Sequence, residues 1–177
     1  MALDQMPGMP APGPDFEIVR LKASQTRHFI ALGNRIVTYR THWDQKHSQT
    51  IPCFTPHEDC DGHRRKLPQR AKGYLHVWRV LTSDAGIKER IEGFLEFTPV
   101  SANDLCAAVQ RSQELRGVAF SVTRLNGAKA HLRVAVFSDF PVKMGELPEV
   151  KSPYESVMRM WGFLDFPPEN EMRETFS

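Results

Sequence analysis

The stretch from residue 118 to residue 137 constrains the fold most. Two alternating apolar runs, 118–124 and 129–137, flank Leu125-Asn126-Gly127-Ala128. Asn-Gly accepts the positive backbone angles of a tight turn, and alternation gives each flanking strand one apolar face. The pattern predicts a hairpin with Val118, Phe120 and Val122 on one side, matched by Leu132, Val134 and Val136. Ser121, Thr123, His131 and Arg133 take the other side. Just upstream, Ser101 opens a helix: its hydroxyl can cap free amides, and Asp104 suits the positive end of the dipole. Leu105, Ala108, Val109, Ser112 and Leu115 recur at helical spacing, and Gly117 can end the helix in a left-handed conformation.

Everything before this helix reads as strand and loop. Phe16, Ile18, Val19 and Leu21 begin a first strand pair, which 28–32 resumes before the Gly33-Asn34 turn. Residues 35–43 (RIVTYRTHW) are rich in β-branched and aromatic side chains, and a polar connection at 44–49 leads into Thr50-Ile51-Pro52-Cys53. Residues 73–81 (GYLHVWRVL) and 91–97 (IEGFLEF) are two further strands, while 54–72 has no period and reads as a long loop. A mainly β chain with one helix set before its last hairpin suits an OB-like barrel of five or six strands with a metal-clipped loop. The alternative is an α+β sheet with one covering helix.

Composition sets the boundaries. Residues 1–14 contain four prolines and two glycines and read as a flexible arm. Residues 15–138 form the OB-like domain and 139–177 an acidic tail, within which 153–166 can form a short helix. From 15 to 138 there are 19 basic and 12 acidic residues, whereas 139–177 has 4 and 8. A basic body with an acidic tail points to a polyanionic partner. No apolar run approaches the ~18–20 residues of a membrane span. The N-terminus lacks the basic and apolar regions of a secretory signal, so a cytoplasmic protein without membrane contact is expected. With three cysteines in such a context, a disulfide framework is not expected.

Cysteine and histidine usage is concentrated. The segment 41–66 (THWDQKHSQTIPCFTPHEDCDGHRRK) holds two of the three cysteines and four of the seven histidines. Cys60 and His63 stand in a Cys-x-x-His spacing that lets both side chains converge on one ion, and Cys53 supplies a third donor. His42 is the fourth, because it ends one strand of the hairpin whose other strand delivers Cys53. His57 is the alternative fourth ligand, and His47 is a further rival. A structural Zn2+ would fix a polar loop that has little apolar surface of its own. Cys106, among helix residues, reads as a small core hydrophobe.

A basic and aromatic constellation adjoins the cluster. Arg64, Arg65, Lys66, Arg70 and Lys72 place five cations in nine residues. Tyr74, His76 and Trp78 share one face of the next strand, with Arg79 on the other. On the earlier strand Tyr39, Thr41 and Trp43 share a face, and Arg40 lies beside His42. Single-stranded nucleic acid needs this combination: bases stack on rings at roughly 1–3 kcal/mol each while cations follow the phosphates. Since one face of each strand must be core, about half of Tyr39, Trp43, Tyr74 and Trp78 should be buried.

A strand ending in His-Trp, a hairpin to Pro-Cys, then Cys-x-x-[Cys/His] and a basic loop resembles the zinc-containing OB-fold single-stranded DNA-binding proteins of the T-even phage type. The matching order is His42, Cys53, Cys60 and His63, with a His where that family has a third Cys. The resemblance covers roughly residues 35–80 and implies a zinc ion within the DNA-binding core. By the same analogy the acidic end, with Phe166 and Phe176, would recruit a replication or recombination partner.

The expected function is therefore non-catalytic binding of single-stranded DNA in replication, recombination or repair of a phage, mobile element or bacterial host. Stacking does not distinguish sugars, so RNA stands beside DNA as a ligand. Arg40, Trp43, Arg64, Arg65, Lys66, Arg70, Lys72, Tyr74, Trp78 and Arg79 would carry it. The alternatives are a protein-interaction or virion-associated module and a metal-dependent nuclease, in which Glu58, Asp59 and Asp61 would serve a divalent ion. No H-E-x-x-H, P-loop, G-x-S-x-G or deaminase signature is present, and no catalytic residue is assigned.

Overall fold

The computed structural model describes residues 16–53, 57–83, 86–109, 114–126, 132–137, 144–163, 165–166 and 168–169. Its strands are β1 (Glu17–Val19), β2 (Thr26–Ala31), β3 (Val37–Asp44), β4 (Gln49–Pro52), β5 (Gln69–Ser83), β6 (Gly86–Phe97), β7 (Ala119–Arg124) and β8 (Leu132–Phe137). Between them lie α1 (Asp61–Arg64) and α2 (Pro99–Val109), and α3 (Tyr154–Met160) follows β8. All eight strands belong to one mixed sheet, with the path β1-β6-β5-β2-β7-β8 and with β3 and β4 attached to β5.

The sheet is not a closed barrel, and the reason lies in β5 and β6. β5 is 15 residues long. Its first half pairs with β3 (Thr41↔Arg70, Tyr39↔Lys72) and its second half with β2 (Phe29↔Arg79, Ala31↔Val77), so two successive strands share one edge of it. The far edge of β6 is occupied by β1 in parallel register, Ile18 opposite Phe94. Closure would have to use that edge, and among the described residues β8 pairs with β7 alone. The same pairing overturns the expected first strand pair, because β1 hydrogen-bonds to β6 and not to β2.

The last hairpin forms in the expected register, Val122 opposite Val134 and Phe120 opposite Val136. Its Asn-Gly turn reaches into residues 127–131, outside the described residues. The helix before it starts two residues earlier than its sequence suggests. Pro99 takes the first turn, where its missing N–H costs nothing, and the Thr98 hydroxyl accepts the Ser101 amide at 3.3 Å. The Ser101 hydroxyl is buried instead between Thr98 and the Leu132 amide.

Alternation along β5 builds a core on each side of the sheet. Leu75 and Val77 face Leu95, Phe97, Phe120, Val122 and Leu105 of α2. Tyr74 faces the other way, with Tyr39, and these two are covered by Tyr154, Val157 and Met158 of α3. The helix predicted within 153–166 therefore belongs to the body of the molecule and roofs the second face. Arg116 ties its approach down, donating to the Leu32, Leu147 and Pro148 carbonyls.

Candidate metal centre

The centre sits at the end of the sheet where β3, β4 and the start of β5 meet. His42 lies on β3 opposite Ile51 of β4 and Gln69 of β5. Cys53 follows β4 and extends the ladder, its amide donating to the Arg40 carbonyl at 3.0 Å. Cys60 immediately precedes α1, and His63 lies within that single turn. The turn closes with the Arg64 amide on the Cys60 carbonyl and the Leu67 amide on the Gly62 carbonyl, 3.0 and 2.8 Å. Lys66 adopts a left-handed φ of 53°, which reverses the chain into β5.

These paths bring one donor atom each of His42, Cys53, Cys60 and His63 within 4.8 Å of one another. His42 Nε2 stands 3.5 Å from Cys60 Sγ, and His63 Nδ1 stands 3.8 Å from Cys53 Sγ. The tautomer of His42 follows from its other nitrogen. Nδ1 lies 3.1 Å from the Leu67 carbonyl, which can only accept, so Nδ1 carries the proton and Nε2 presents its lone pair to the cluster. Both cysteines and His42 are buried. Burial, and then the neighbouring Cys60, push the Cys53 thiol above its ordinary value, against the pull of Gln69 and Arg40. A thiol held protonated by burial gives up its proton readily only to a cation that takes its place, as a metal ion does. The cluster can hold a metal ion with two nitrogen and two sulfur donors.

The rivals for the fourth position have other roles or lie elsewhere. His47 donates its ring N–H to Asp44 at 2.7 Å. The side chain of His57 is outside the described residues. Glu58 and Asp59 are exposed, and Asp61 pairs with Arg64 and Arg65 at 3.4 and 3.2 Å. Cys106 is exposed on α2, not the core residue its pattern suggested, because Leu105 takes the inward position.

Three residues that the sequence reading passed over complete the site. Asp44 is 1% exposed and accepts the Lys46 and His47 amides, the His47 ring and Arg65. The His47 hydrogen bond first, and Arg65 second, hold its carboxyl well below the usual carboxylate range. Gln69 donates to Cys53 Sγ at 3.5 Å. Gly62 is buried against the His42 ring. An acid two residues after a ligand, opening a polar turn, was the sequence signal available for Asp44.

The residues expected to bind nucleic acid divide into two groups. Arg40, Arg64, Lys66 and Arg70 are exposed around the metal centre; Arg64 also reaches the exposed Asp61 at 3.4 Å, and Arg70 lies over the half-buried Trp43 ring at 5.5 Å. The remainder are engaged elsewhere. Arg65 bridges Asp44 and Asp61. Lys72 pairs with Glu96 at 3.0 Å, and Tyr74, 1% exposed, donates to the same carboxylate at 2.9 Å. Trp78 lies beneath Arg90, 4.9 Å away, and Arg79 pairs with Glu17 at 3.4 Å. Of the four aromatic residues of β3 and β5, Tyr39 and Tyr74 are core while Trp43 and Trp78 stay half-buried. Phe166 packs edge-on against Tyr154, and Phe176 lies outside the described residues. No helix among the described residues is long and apolar enough to cross a membrane.

No family model, no curated protein and no solved structure matches the chain.

Proposed function

We propose that this protein is a zinc-stapled, non-catalytic binder of single-stranded DNA, working through the end of the sheet that carries the metal centre. One observation carries the reading. A four-donor cluster gathers the chain where Arg40, Arg64, Lys66 and Arg70 remain exposed beside the half-buried Trp43 ring. Tetrahedral zinc, with bonds of about 2.3 Å to sulfur and about 2.0–2.1 Å to nitrogen, sets neighbouring donors roughly 3.3–3.8 Å apart. The 3.5 and 3.8 Å separations fit that cage. Four N and S donors leave no coordination position for a catalytic water, which favours a structural ion over a nuclease centre. The strand order, with α2 before the β7–β8 hairpin, supports an opened variant of the OB-like arrangement.

In this reading phosphates run along the four exposed cations and one base stacks on Trp43, with Arg70 flanking the ring. Tyr74 takes no part, since α3 covers it. Three or four neutralised phosphates give a salt slope of roughly −2 to −3 on logarithmic axes. The test is fluorescence anisotropy with labelled oligo-dT, oligo-U and a duplex, each at two salt concentrations. Preference for the single strands, weakening with salt in that proportion, supports the proposal; equal or undetectable binding to all three ends it. A preference for oligo-U over oligo-dT would assign RNA as the ligand.

A further inference from the structure

We propose that the Asp44–Arg65 ion pair is a latch that pre-assembles the metal centre, which makes Asp44 and Arg65 positioning residues for ion binding. The proposal rests on the metal reading of the His42, Cys53, Cys60 and His63 cluster.

The cluster has a construction problem. Two ligands come from the β3–β4 hairpin, while Cys60 and His63 come from the start and the interior of α1, a single turn of sequence Asp-Gly-His-Arg that Cys60 immediately precedes. That turn has no apolar side chain with which to hold itself on the sheet. Something besides the ion must bring it there, or the ion would bear the whole ordering cost of the segment. Arg65 supplies the link. It stands two residues beyond His63, as Asp44 stands two residues beyond His42. Because alternate residues of a strand share a face, Asp44 points to the same side of β3 as His42. The ligand pair and the ion pair are therefore parallel bridges between the same two elements.

The acid end of the bridge is held by local contacts that do not involve Arg65. The Lys46 and His47 amides reach one Asp44 oxygen at 3.1 and 3.3 Å, and the His47 ring reaches the other at 2.7 Å. Arg65 closes on that second oxygen and also holds Asp61 within α1 at 3.2 Å. With the Asp44 side chain 1% exposed and that of Arg65 35% exposed, the pair is shielded on its acid side. Such a bond is worth more than a surface ion pair, and its loss leaves a buried carboxylate short of a partner. The Leu67 carbonyl on His42 Nδ1 and the Pro68 carbonyl on the Trp43 amide secure the exit of the turn, so the latch secures what they do not reach.

The test titrates zinc(II) into the full chain in competition with a chromophoric chelator. It compares wild type with Arg65→Gln, Arg65→Lys, Asp44→Asn, the Asp44→Asn/Arg65→Gln double variant, and Arg64→Gln. Outer-shell partners of metal ligands typically matter by about 10–100-fold in affinity. Arg65→Gln and Asp44→Asn should each fall in that range, the double variant should be no worse than the weaker single one, and Arg65→Lys should recover part of the loss. Arg64→Gln, a neighbour of equal charge, should bind zinc as wild type does. Should Asp44→Asn fail to fold, the partly exposed Arg65 keeps the comparison open. Unchanged zinc affinity in Arg65→Gln, or an equal loss in Arg64→Gln, overturns the latch while leaving the metal centre intact. Failure of wild type to take up one zinc overturns both.

Discussion

Gly62 lies flat against the imidazole of His42: a Cβ at position 62 would stand 2.2 Å from Cδ2 and 2.3 Å from Cγ of that ring. The ring cannot retreat without giving up the Leu67 carbonyl on one side or the cluster on the other. Gly62→Ala should therefore displace His42 or lift α1, costing about 1–3 kcal/mol as overpacking and at least tenfold in zinc affinity. Thermal unfolding and zinc titration of this variant check both figures. Wild-type affinity would show that the turn shifts freely.

Removal of the ion should act locally. Cys60→Ser, or a strong chelator, should lower the unfolding temperature and speed amide exchange through 57–68. Amides of β6 and β7 should keep their protection, because Leu95, Phe97, Phe120 and Val122 are buried in a core that the ion does not touch. Hydrogen exchange with and without chelator reads this directly. Native mass spectrometry should show one zinc lost from Cys60→Ser.

Trp43 and Tyr74 should separate binding from stability. Trp43→Ala removes the half-buried ring beneath Arg70 and should weaken oligo-dT binding by about 1–3 kcal/mol, roughly 5- to 150-fold. Its unfolding midpoint should shift little by comparison. Tyr74→Ala opens the core under α3 and strips Glu96 of a donor, so it should cost about 3–5 kcal/mol of stability. Anisotropy and urea unfolding of the same two variants make the comparison; a reversed pattern would move the stacking site to the α3 side.

His76 should make stability fall with pH on the acid side of neutrality. The Lys151 amide donates to Nδ1 at 3.1 Å, so Nε2 carries the proton and meets Glu92 at 2.8 Å. The neutral ring is thus fully partnered, and protonation would expel Lys151. Burial is the main cause holding the His76 pKa below its ordinary value, against the opposing pull of Glu92. Between that lowered value and about 6.5 the unfolded chain binds more protons than the folded one. Stability therefore drops as pH falls below about 6.5, by up to about 1.4 kcal/mol per pH unit. Glu92 and Glu96 are lowered carboxylates whose contributions are lost further into acid, below about 4.5. Urea midpoints at pH 7.5 and 5.5, taken with chelator present so that proton competition at the metal centre does not enter, check this, and the drop should be smaller in His76→Gln.

Much of this protein is written in local pattern. The C-x6-C-x2-H spacing, with His42 at the end of a β-rich run, marks the four-donor cluster because a shared ion would need N and S donors on turns that can converge. Alternation through 118–137 determines the hairpin register, since a slip of one residue would turn Phe120 and Val122 to solvent. Other features depend on pairing between distant segments, which no local pattern specifies. β1 joins β6 rather than β2, and β5 is long enough to carry two strands on one edge, so the expected barrel stays open. Only the folded chain shows that α3 takes Tyr74 for a core, that Arg65 belongs to Asp44, and that Trp43 is left beside the exposed cations. A side chain's type records what it is able to do; burial and the partner across the sheet select which of those things it does.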